Sequence, residues 1–527
     1  MGFRQRAGAV EPSKTSHEAG EDYFYEALPF VETHPEHLFA LGILFGVRER
    51  LPAQFRVLEI GTATGGNILP MAARYPESWF VGIDRAESSL SVARKVAQRA
   101  ELGNVDLQLT DLRDFEDEPS SFDLIVCHGV YSWIPEEARA ALRRIVRRHL
   151  APQGMAYISF NTLPGWHLRG ALRDMLRREV RGIESQAERV SKARAFLEFL
   201  GTNFPSDDSS RHWLLNELEI LRQMSRDYLL GEHLVEYNRA EYFEDFARDM
   251  AEDGLEFVTD AHVPLVFPDR LGEEVASTIR ARSRGVVQIQ QALDHLELRC
   301  FRRAMMCRDD AALQRHVSAS RIELLTVASH LEPESAEPDL AEGVEVGFKG
   351  RTGVIATDQA FLKAALIALA GVGARGMTFD RLTFEIARRL GRDELGADER
   401  ARGARNLLGL YTKGAIELLA AERPVALSIS ERPRVFSFAR RQASDGLPFC
   451  TSLRHEAIQT DSFDRAFLSR LDGRSTVAEA VSWVLDRARA GVVSVQMEGR
   501  ECLDPRVFDE IAEQKLELYM RRGLLRA

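Results

Sequence analysis

Between residues 56 and 160, short apolar segments alternate with segments whose apolar residues recur at helical spacing. The apolar segments read RVLEI, WFVGID, VDLQLT, DLIVCH and MAYISF, and the helical pattern is clearest at 67–75 and 88–102. Short apolar runs bounded by turn residues are typical of buried strands. Strands that alternate with helices build a parallel, doubly wound sheet with right-handed crossovers. The sequence therefore predicts an α/β fold for this region.

The chain has 527 residues, several times the usual domain size, so further domains are expected. Residues 165–310 have an almost wholly helical pattern. Beyond them, a hairpin at 344–357 and two helices before an apolar run at 407–419 indicate an α+β unit of winged-helix-like order. We therefore predict five regions. They are a disordered N-terminus (1–21), the α/β sheet domain (22–175), a mainly helical domain (176–310), an α+β winged-helix-like domain (311–430) and a small α/β module (431–527).

The charge balance limits the partners that the chain can have. It contains 69 Lys and Arg against 80 Asp and Glu, a net charge of −11, which argues against nucleic acid or an anionic membrane as the main partner. The five cysteines form no C-x-x-C pair, so we expect neither a disulfide framework nor a metal site. The sequence has no apolar signal core and no membrane-length apolar run, which predicts a cytoplasmic protein.

The first predicted strand runs into a glycine-rich loop, and a helix follows directly. From Glu59 to Asn67 the sequence is EIGTATGGN. Glycines allow a tight turn and a close approach between backbone and ligand, and the N-terminus of the next helix favours an anionic or carboxylate group. Alone, the loop also fits NAD-binding folds or a purely structural turn.

Two carboxylates help to decide which ligand the glycine-rich loop binds. Asp84 ends the second strand, where a carboxylate can accept hydrogen bonds from both hydroxyls of a ribose. Asp111 follows the third strand, where it can accept from the amino group of an adenine. The NAD pattern prefers a third glycine against the helix and does not require Asp111. The combination therefore favours an adenosyl ligand of another kind.

These positions resemble those of the class I S-adenosylmethionine (SAM) methyltransferases, whose fold is Rossmann-like. The resemblance implies that Glu59 supports the loop and contacts the methionine end of SAM indirectly. It also implies that Asp84 holds the ribose and that Asp111 frames the adenine. The commonest family pattern has glycine in place of Ala63, and alanine costs little there unless φ is positive. The expected SAM-binding residues are Tyr25, Glu59, Gly61, Thr62, Ala63, Gly65, Asn67, Asp84, Arg85, Asp111, Leu112, Cys127 and His128.

The resemblance extends to multidomain bacterial methyltransferases that carry a methyltransferase regulatory domain. It rests on YEALPFVETHP, HGVYSW and FNTLPGWH around the sheet, and on YNRAEYF and GLEF further on. It covers about 22–430 and implies methylation of lysines in bacterial outer-membrane proteins by a homodimer. The regulatory domain often has a His-Glu-Tyr cluster. Here the stretch reads Gly231-Glu232-His233, which keeps only the Glu and puts a shared acceptor role in doubt.

Aromatic residues after the fourth strand are the candidates for the acceptor side. Tyr131 and Trp133 would form the walls of an acceptor channel, since aromatic rings suit a lysine stem and stabilise cations. Tyr25 would close over the donor, and His128 would contact the donor or relay a proton. The same residues also fit a structural role, with the two aromatics as core residues at the sheet edge and His128 as a hydrogen-bonded histidine.

Three functions remain open from the sequence: a protein-lysine methyltransferase, a small-molecule N- or O-methyltransferase, and a non-catalytic SAM-binding adaptor. The intact set of Glu59, Asp84 and Asp111 disfavours the adaptor. The long chain beyond the predicted catalytic domain favours a macromolecular acceptor, because a lid for a small substrate needs far fewer residues.

Overall fold

A computed structural model describes residues 27–203, 212–350, 353–497 and 500–527. The predicted disordered segment 1–21 and the candidate Tyr25 lie outside the described residues. No helix in the described part of the chain is both long and apolar enough to cross a membrane.

A seven-stranded sheet forms the centre of the N-terminal half. Its strands are β1 (Arg56–Ile60), β2 (Trp79–Asp84), β3 (Val105–Leu109), β4 (Phe122–Cys127), β5 (Leu150–Asn161), β6 (Leu255–Asp260) and β7 (Phe301–Arg308). They lie in the order β3-β2-β1-β4-β5-β7-β6. Strands β1 to β5 are parallel, as predicted, and β7 is antiparallel to both β5 and β6. The sheet domain also contains α1 (Pro35–Leu44), α2 (Ile68–Arg74), α3 (Glu87–Arg99) and α4 (Glu136–His149).

The expectation that residues 165–310 are almost wholly helical is wrong at β6 and β7. These two strands complete the sheet, which therefore continues past the predicted domain boundary at residue 175. The pattern of β7 was misleading because Arg302 interrupts its apolar residues. That side chain is completely buried, and Asp294 accepts from its Nε and Nη2 at 2.7 and 2.8 Å. A paired arginine can lie inside a sheet, whereas an unpaired one cannot.

Helices are inserted between β5 and β6. They are α5 (Trp166–Glu179), α6 (Gln186–Asn203), α7 (His212–Arg222), the short α8 (Arg226–Tyr228), a π-helical turn (Leu229–His233) and α9 (Phe243–Glu252). Leucines from α5, α6, α7 and the π-helical turn form an apolar core separate from that of the sheet. Two further helices, α10 (Glu273–Arg282) and α11 (Val286–Glu297), connect β6 to β7. The insertion thus has its own core and begins and ends at the sheet.

Residues beyond β7 form smaller sheets and two groups of helices. Strands β10 (Val346–Gly350) and β11 (Gly353–Thr357) pair in antiparallel fashion, which confirms the predicted hairpin. The other elements are β8 (Thr326–Ala328), β9 (Glu332–Pro333), α12 (Ala360–Ala370), β12 (Met377–Thr378), α13 (Phe379–Arg389), α14 (Ala397–Thr412), β13 (Glu417–Leu419), β14 (Arg434–Val435), α15 (Ser437–Ser444), β15 (Phe449–Thr451), β16 (Ala457–Gln459), α16 (Ser462–Arg470), α17 (Val477–Arg489), β17 (Gln496–Met497), β18 (Arg500–Glu501), α18 (Pro505–Arg521) and β19 (Leu525–Arg526).

The C-terminal units pack directly against the sheet domain. One apolar cluster includes Phe39 of α1, Leu418 of β13 and Phe467 of α16. A buried ion-pair network crosses the same boundary, since Arg423 donates from Nε to Glu36 at 3.1 Å and from Nη1 to Glu417 at 2.9 Å. The C-terminal units are therefore held against α1 and are placed to affect the sheet domain.

Candidate functional site

The glycine-rich loop after β1 follows a path that requires its small residues. Gly61 and Gly65 have φ values of +81° and +78°, in the left-handed region that favours glycine. A Cβ on Gly66 would lie 1.6 Å from the carbonyl oxygen of Ala27, so the close approach of the N-terminal segment also requires glycine. Ala63 has φ of +47°, which is also in the left-handed region. Alanine costs little here only if φ is negative, so Ala63 is strained in this conformation.

Asp84 holds the loop in this conformation. Its Oδ2 accepts from the backbone N–H of Ala63 at 2.8 Å, and its Oδ1 accepts from the N–H of Ala86 at 2.9 Å. Each carboxylate oxygen can accept more than one hydrogen bond. The carboxyl group is therefore fixed at the end of β2 and keeps acceptor capacity for a ribose.

Glu59 is the centre of a buried hydrogen-bond network beneath the loop. Its Oε2 accepts from the hydroxyl of Thr62 at 3.0 Å and its Oε1 accepts from Nδ2 of Asn67 at 2.6 Å. Burial raises the pKa of Glu59 to about 7, although these hydrogen bonds lower it. The sequence placed all three residues in one site, and the structure brings them together.

The N-terminal segment crosses the loop. The N–H of Ala27 donates to the hydroxyl of Thr64, and the N–H of Phe30 donates to Oδ1 of Asn67, both at 3.0 Å. The expectation that this part of the chain covers the donor rests on Tyr25, which lies outside the described residues. The neighbouring described residues do contact the loop.

The candidate adenine region lies at the end of β3. Asp111 accepts from the N–H and Nε of Arg113, both at 2.9 Å, and from its Nη2 at 2.8 Å. These bonds lower the pKa of the Asp111 carboxyl to about 2, so it is ionised at neutral pH. Leu112 beside it is half-buried, and the candidate Arg85 is exposed at the end of β2.

The residues at the end of β4 have mainly structural environments. Cys127 is completely buried, and burial raises the pKa of its thiol to about 12. The half-buried His128 lies 3.7 Å from the ring of Phe30, between centroids, and its Nδ1 shares a hydrogen bond of 2.9 Å with the hydroxyl of Tyr157. Desolvation lowers the pKa of His128 to about 3, too low for an efficient base at neutral pH. The structure thus favours the structural role for His128.

The two aromatic candidates for the acceptor side differ in their surroundings. Tyr131 is completely buried and packs edge-on against Phe246, with ring centroids 5.4 Å apart. That position fits a core residue under the sheet edge better than a channel wall. Trp133 is half-buried and forms an edge-to-face contact with Trp166, with centroids 6.5 Å apart. Trp133 therefore remains the candidate for an acceptor wall.

One residue of the site, His455, was not predicted from the sequence. Nε2 of His455, in the turn between β15 and β16, lies 2.7 Å from Oδ1 of Asn67. The two residues are 388 positions apart, and no local sequence pattern connects them.

Comparison with known families adds the identity of the ligand. A family described as a methyltransferase domain matches residues 57–154, which span β1 to β4 and the candidate donor residues from Glu59 to His128. The chain is a SAM-dependent methyltransferase. Its methyl donor is SAM. The methyltransferase also matches a predicted methyltransferase regulatory domain at 225–308 and the PKMT C-terminal winged-helix domain at 431–523. The winged-helix match therefore lies in the last module, which the sequence predicted as small α/β. The unit predicted to be winged-helix-like, 311–430, precedes it.

One relative of the methyltransferase covers nearly its whole length, and another covers less than half of it. It is 26% identical over 493 residues to the uncharacterized protein RP789 of Rickettsia prowazekii, which covers 92% of this chain and 89% of the relative. It is 32% identical to the uncharacterized protein sll1526 of Synechocystis over 40% of this chain and 42% of that one. The structure of PKMT2 from Rickettsia typhi in complex with AdoHcy has the same fold, with a TM-score of 0.85, 24% identity and coverage of 95% of this chain and 99% of that one.

The raised pKa of Glu59 predicts a pH dependence of SAM binding. We expect the cationic methionine end of SAM to favour the ionised carboxylate, so that binding removes the proton from Glu59. The contribution of Glu59 to the affinity is then constant above about pH 7. It falls as the pH decreases below that value, because Glu59 of the free methyltransferase holds the proton there. One pH unit below the pKa, the dissociation constant should be roughly tenfold higher. Calorimetry between pH 6 and 8 measures it.

The Glu59→Gln variant is the control, because it removes this titration and keeps that of the ligand's own amino group. Its affinity for SAM should vary less with pH than that of the unchanged methyltransferase. Equal pH profiles for the two proteins would contradict a linkage between Glu59 and the donor.

Proposed function

We propose that this methyltransferase transfers the methyl group of SAM to lysine side chains of a protein. The observation that carries the proposal is the match of residues 431–523 to the C-terminal winged-helix domain of PKMT, the protein-lysine methyltransferases. The fold shared with PKMT2 of Rickettsia typhi over 95% of this chain agrees with it. As in the sequence-based expectation, outer-membrane proteins are the acceptors to test first.

The arrangement of the domains supports a macromolecular acceptor. The carboxyl ends of the parallel strands, where ligands bind in open α/β sheets, carry the donor loop and the aromatic pair of Trp133 and Trp166. The helical insertion also begins at this edge, directly after β5. Trp133 is the half-buried member of this pair, and an aromatic ring of this kind can hold the apolar stem of a lysine and stabilise its cationic head.

Methyl transfer requires few chemical groups from the protein. SAM, when bound, supplies a methyl group already activated by the positive sulfonium. The protein must align the acceptor in line with that bond and exclude water. An acceptor lysine must also lose its proton, and the low pKa of His128 makes that residue a poor base. Bulk water and desolvation of the lysine in the site are two routes to deprotonation that do not need His128.

Methyl-labelled SAM tests the proposal. The methyltransferase is incubated with fractions of bacterial cells, including outer-membrane protein, and the labelled material is separated into protein and small molecules. We expect label in protein bands and methyl-lysine after their hydrolysis. A parallel reaction without the enzyme gives the background. Label found in small molecules alone would remove the lysine proposal and support the small-molecule methyltransferase instead.

A further inference from the structure

The turn between β15 and β16 presents a histidine in an uncommon backbone conformation. His455 has φ of +61°, in the left-handed region, and only 2% of its surface is exposed. The turn fixes this conformation, because the N–H of His455 donates to the carbonyl of Ser452 at 2.9 Å and the Ser452 hydroxyl accepts from the N–H of Arg454 at 3.2 Å. Strained non-glycine residues of this kind persist where the surrounding structure holds them, and they are enriched at functional sites.

The imidazole of His455 reaches into the donor loop as a hydrogen-bond donor. Oδ1 of Asn67 accepts from the N–H of Phe30 and from the hydroxyl of Thr33, both at 3.0 Å, while Nδ2 of Asn67 donates to the Glu59 carboxylate. These partners fix the orientation of the amide. The atom 2.7 Å from Nε2 of His455 is therefore an acceptor oxygen, and Nε2 carries the proton. Burial keeps the pKa of His455 well below its usual value, so the ring is neutral.

We propose that His455 is a positioning residue of the SAM site, supplied by the C-terminal winged-helix domain. It holds the Asn67 amide, and Asn67 in turn holds Glu59 at the methionine end of the donor. Each link in this chain is a buried hydrogen bond of 2.7 Å or less. The donor site of the sheet domain is thus complete only when the last domain of the chain is in place. This inference concerns the donor alone and does not depend on the nature of the acceptor.

The contact with the loop can be separated from the rest of the domain interface. Arg99 of α3 pairs with Asp445, just after α15, at an exposed position on the same interface. This pair connects the same two domains without contacting any residue of the donor loop. The Arg99→Ala variant therefore loosens the interface at another place and serves as the matched control.

Two substitutions at His455 separate the effect of its hydrogen bond to Asn67 from the effect of the size of its ring. Gln has its amide nitrogen the same number of bonds from Cα as Nε2 of histidine, so His455→Gln can keep the donor. Asn tolerates positive φ well, but its side chain is too short to reach Asn67, so His455→Asn keeps the turn and loses the donor.

Calorimetry with SAM and with S-adenosylhomocysteine, on the full-length protein, tests the proposal. We expect His455→Asn to raise both dissociation constants about tenfold, the effect of losing one buried hydrogen bond. His455→Gln should restore most of the affinity, and Arg99→Ala should leave it unchanged. The thermal unfolding midpoint of each variant shows that the chain is folded.

Three results would overturn the proposal. The first is full affinity in a folded His455→Asn variant. The second is an equal loss in His455→Asn and His455→Gln, which would assign the effect to the shape of the ring. The third is an equal loss in Arg99→Ala, which would assign it to the domain interface as a whole.

Discussion

We expect the Asp84→Ala variant to lose SAM binding. The carboxylate has a double role, because it accepts from the N–H of Ala63 and is the expected acceptor for both ribose hydroxyls. Hydrogen bonds to charged groups contribute about 1.5–3 kcal/mol each, so losing two raises the dissociation constant by roughly two to four orders of magnitude. The variant also removes the bond that holds Ala63 at φ of +47°. Calorimetry at micromolar protein should detect no binding heat.

Asp106→Ala is the matched control for this prediction. Asp106 is an exposed carboxylate on the neighbouring strand β3, where it accepts from Nε2 of Gln108 at 2.6 Å. Its removal changes the net charge equally without touching the loop, and SAM affinity should be retained. If Asp84→Ala bound SAM as tightly as Asp106→Ala, the ribose contact would have to lie elsewhere in the molecule.

The donor site could be predicted from the sequence because its signals are local. Strands β1 and β2 begin and end where the apolar segments RVLEI and WFVGID do. The end of each strand carries the residue types that its position in a parallel sheet makes functional, such as Asp84 as the last residue of β2. The carboxyl ends of parallel strands meet at one edge, so residues distant in sequence could be assigned to one site before the structure was known.

Strands β6 and β7 could not be predicted in the same way. Their burial depends on partners that are far away in sequence or that neutralise a charge. Arg302 is the second residue of β7, and its carboxylate partner Asp294 belongs to α11. The order of apolar and charged residues along the chain does not show that such an ion pair will form, because the pairing depends on how the whole fold packs.

The conformation of single residues also depended on the whole structure. The sequence left two roles open for Tyr131. Only the structure shows that its side chain is completely buried, with Phe246 packed against it. The sequence shows that alanine replaces the common glycine at position 63, but the positive φ of Ala63 becomes visible only in the structure. His455 lies in the last domain, and its contact with Asn67 is a product of domain packing.

Breaking the buried network around Arg423 should cause a large loss of stability. The guanidinium is 3% exposed and neutralises Glu36 of α1 and Glu417 of β13. Arg423→Met leaves both carboxylates without this partner, although Arg74 still donates to Glu36 at 3.0 Å and Arg454 to Glu417 at 3.0 Å. We therefore expect a loss near the lower end of the range for a broken buried pair, about 3 kcal/mol. A lower urea midpoint of unfolding measures it.

Arg222→Met is the matched control, because Arg222 pairs with Glu198 on the surface of the helical insertion. Exposed pairs contribute about 0–1 kcal/mol, so its urea midpoint should stay close to that of the unchanged protein. Adding Glu417→Gln to Arg423→Met should recover part of the lost stability, because it removes a half-buried charge that has lost a partner. If Arg423→Met and Arg222→Met unfolded at the same urea concentration, the C-terminal units would be held against α1 by their shared apolar core, and the ion pairs would contribute no more than surface pairs do.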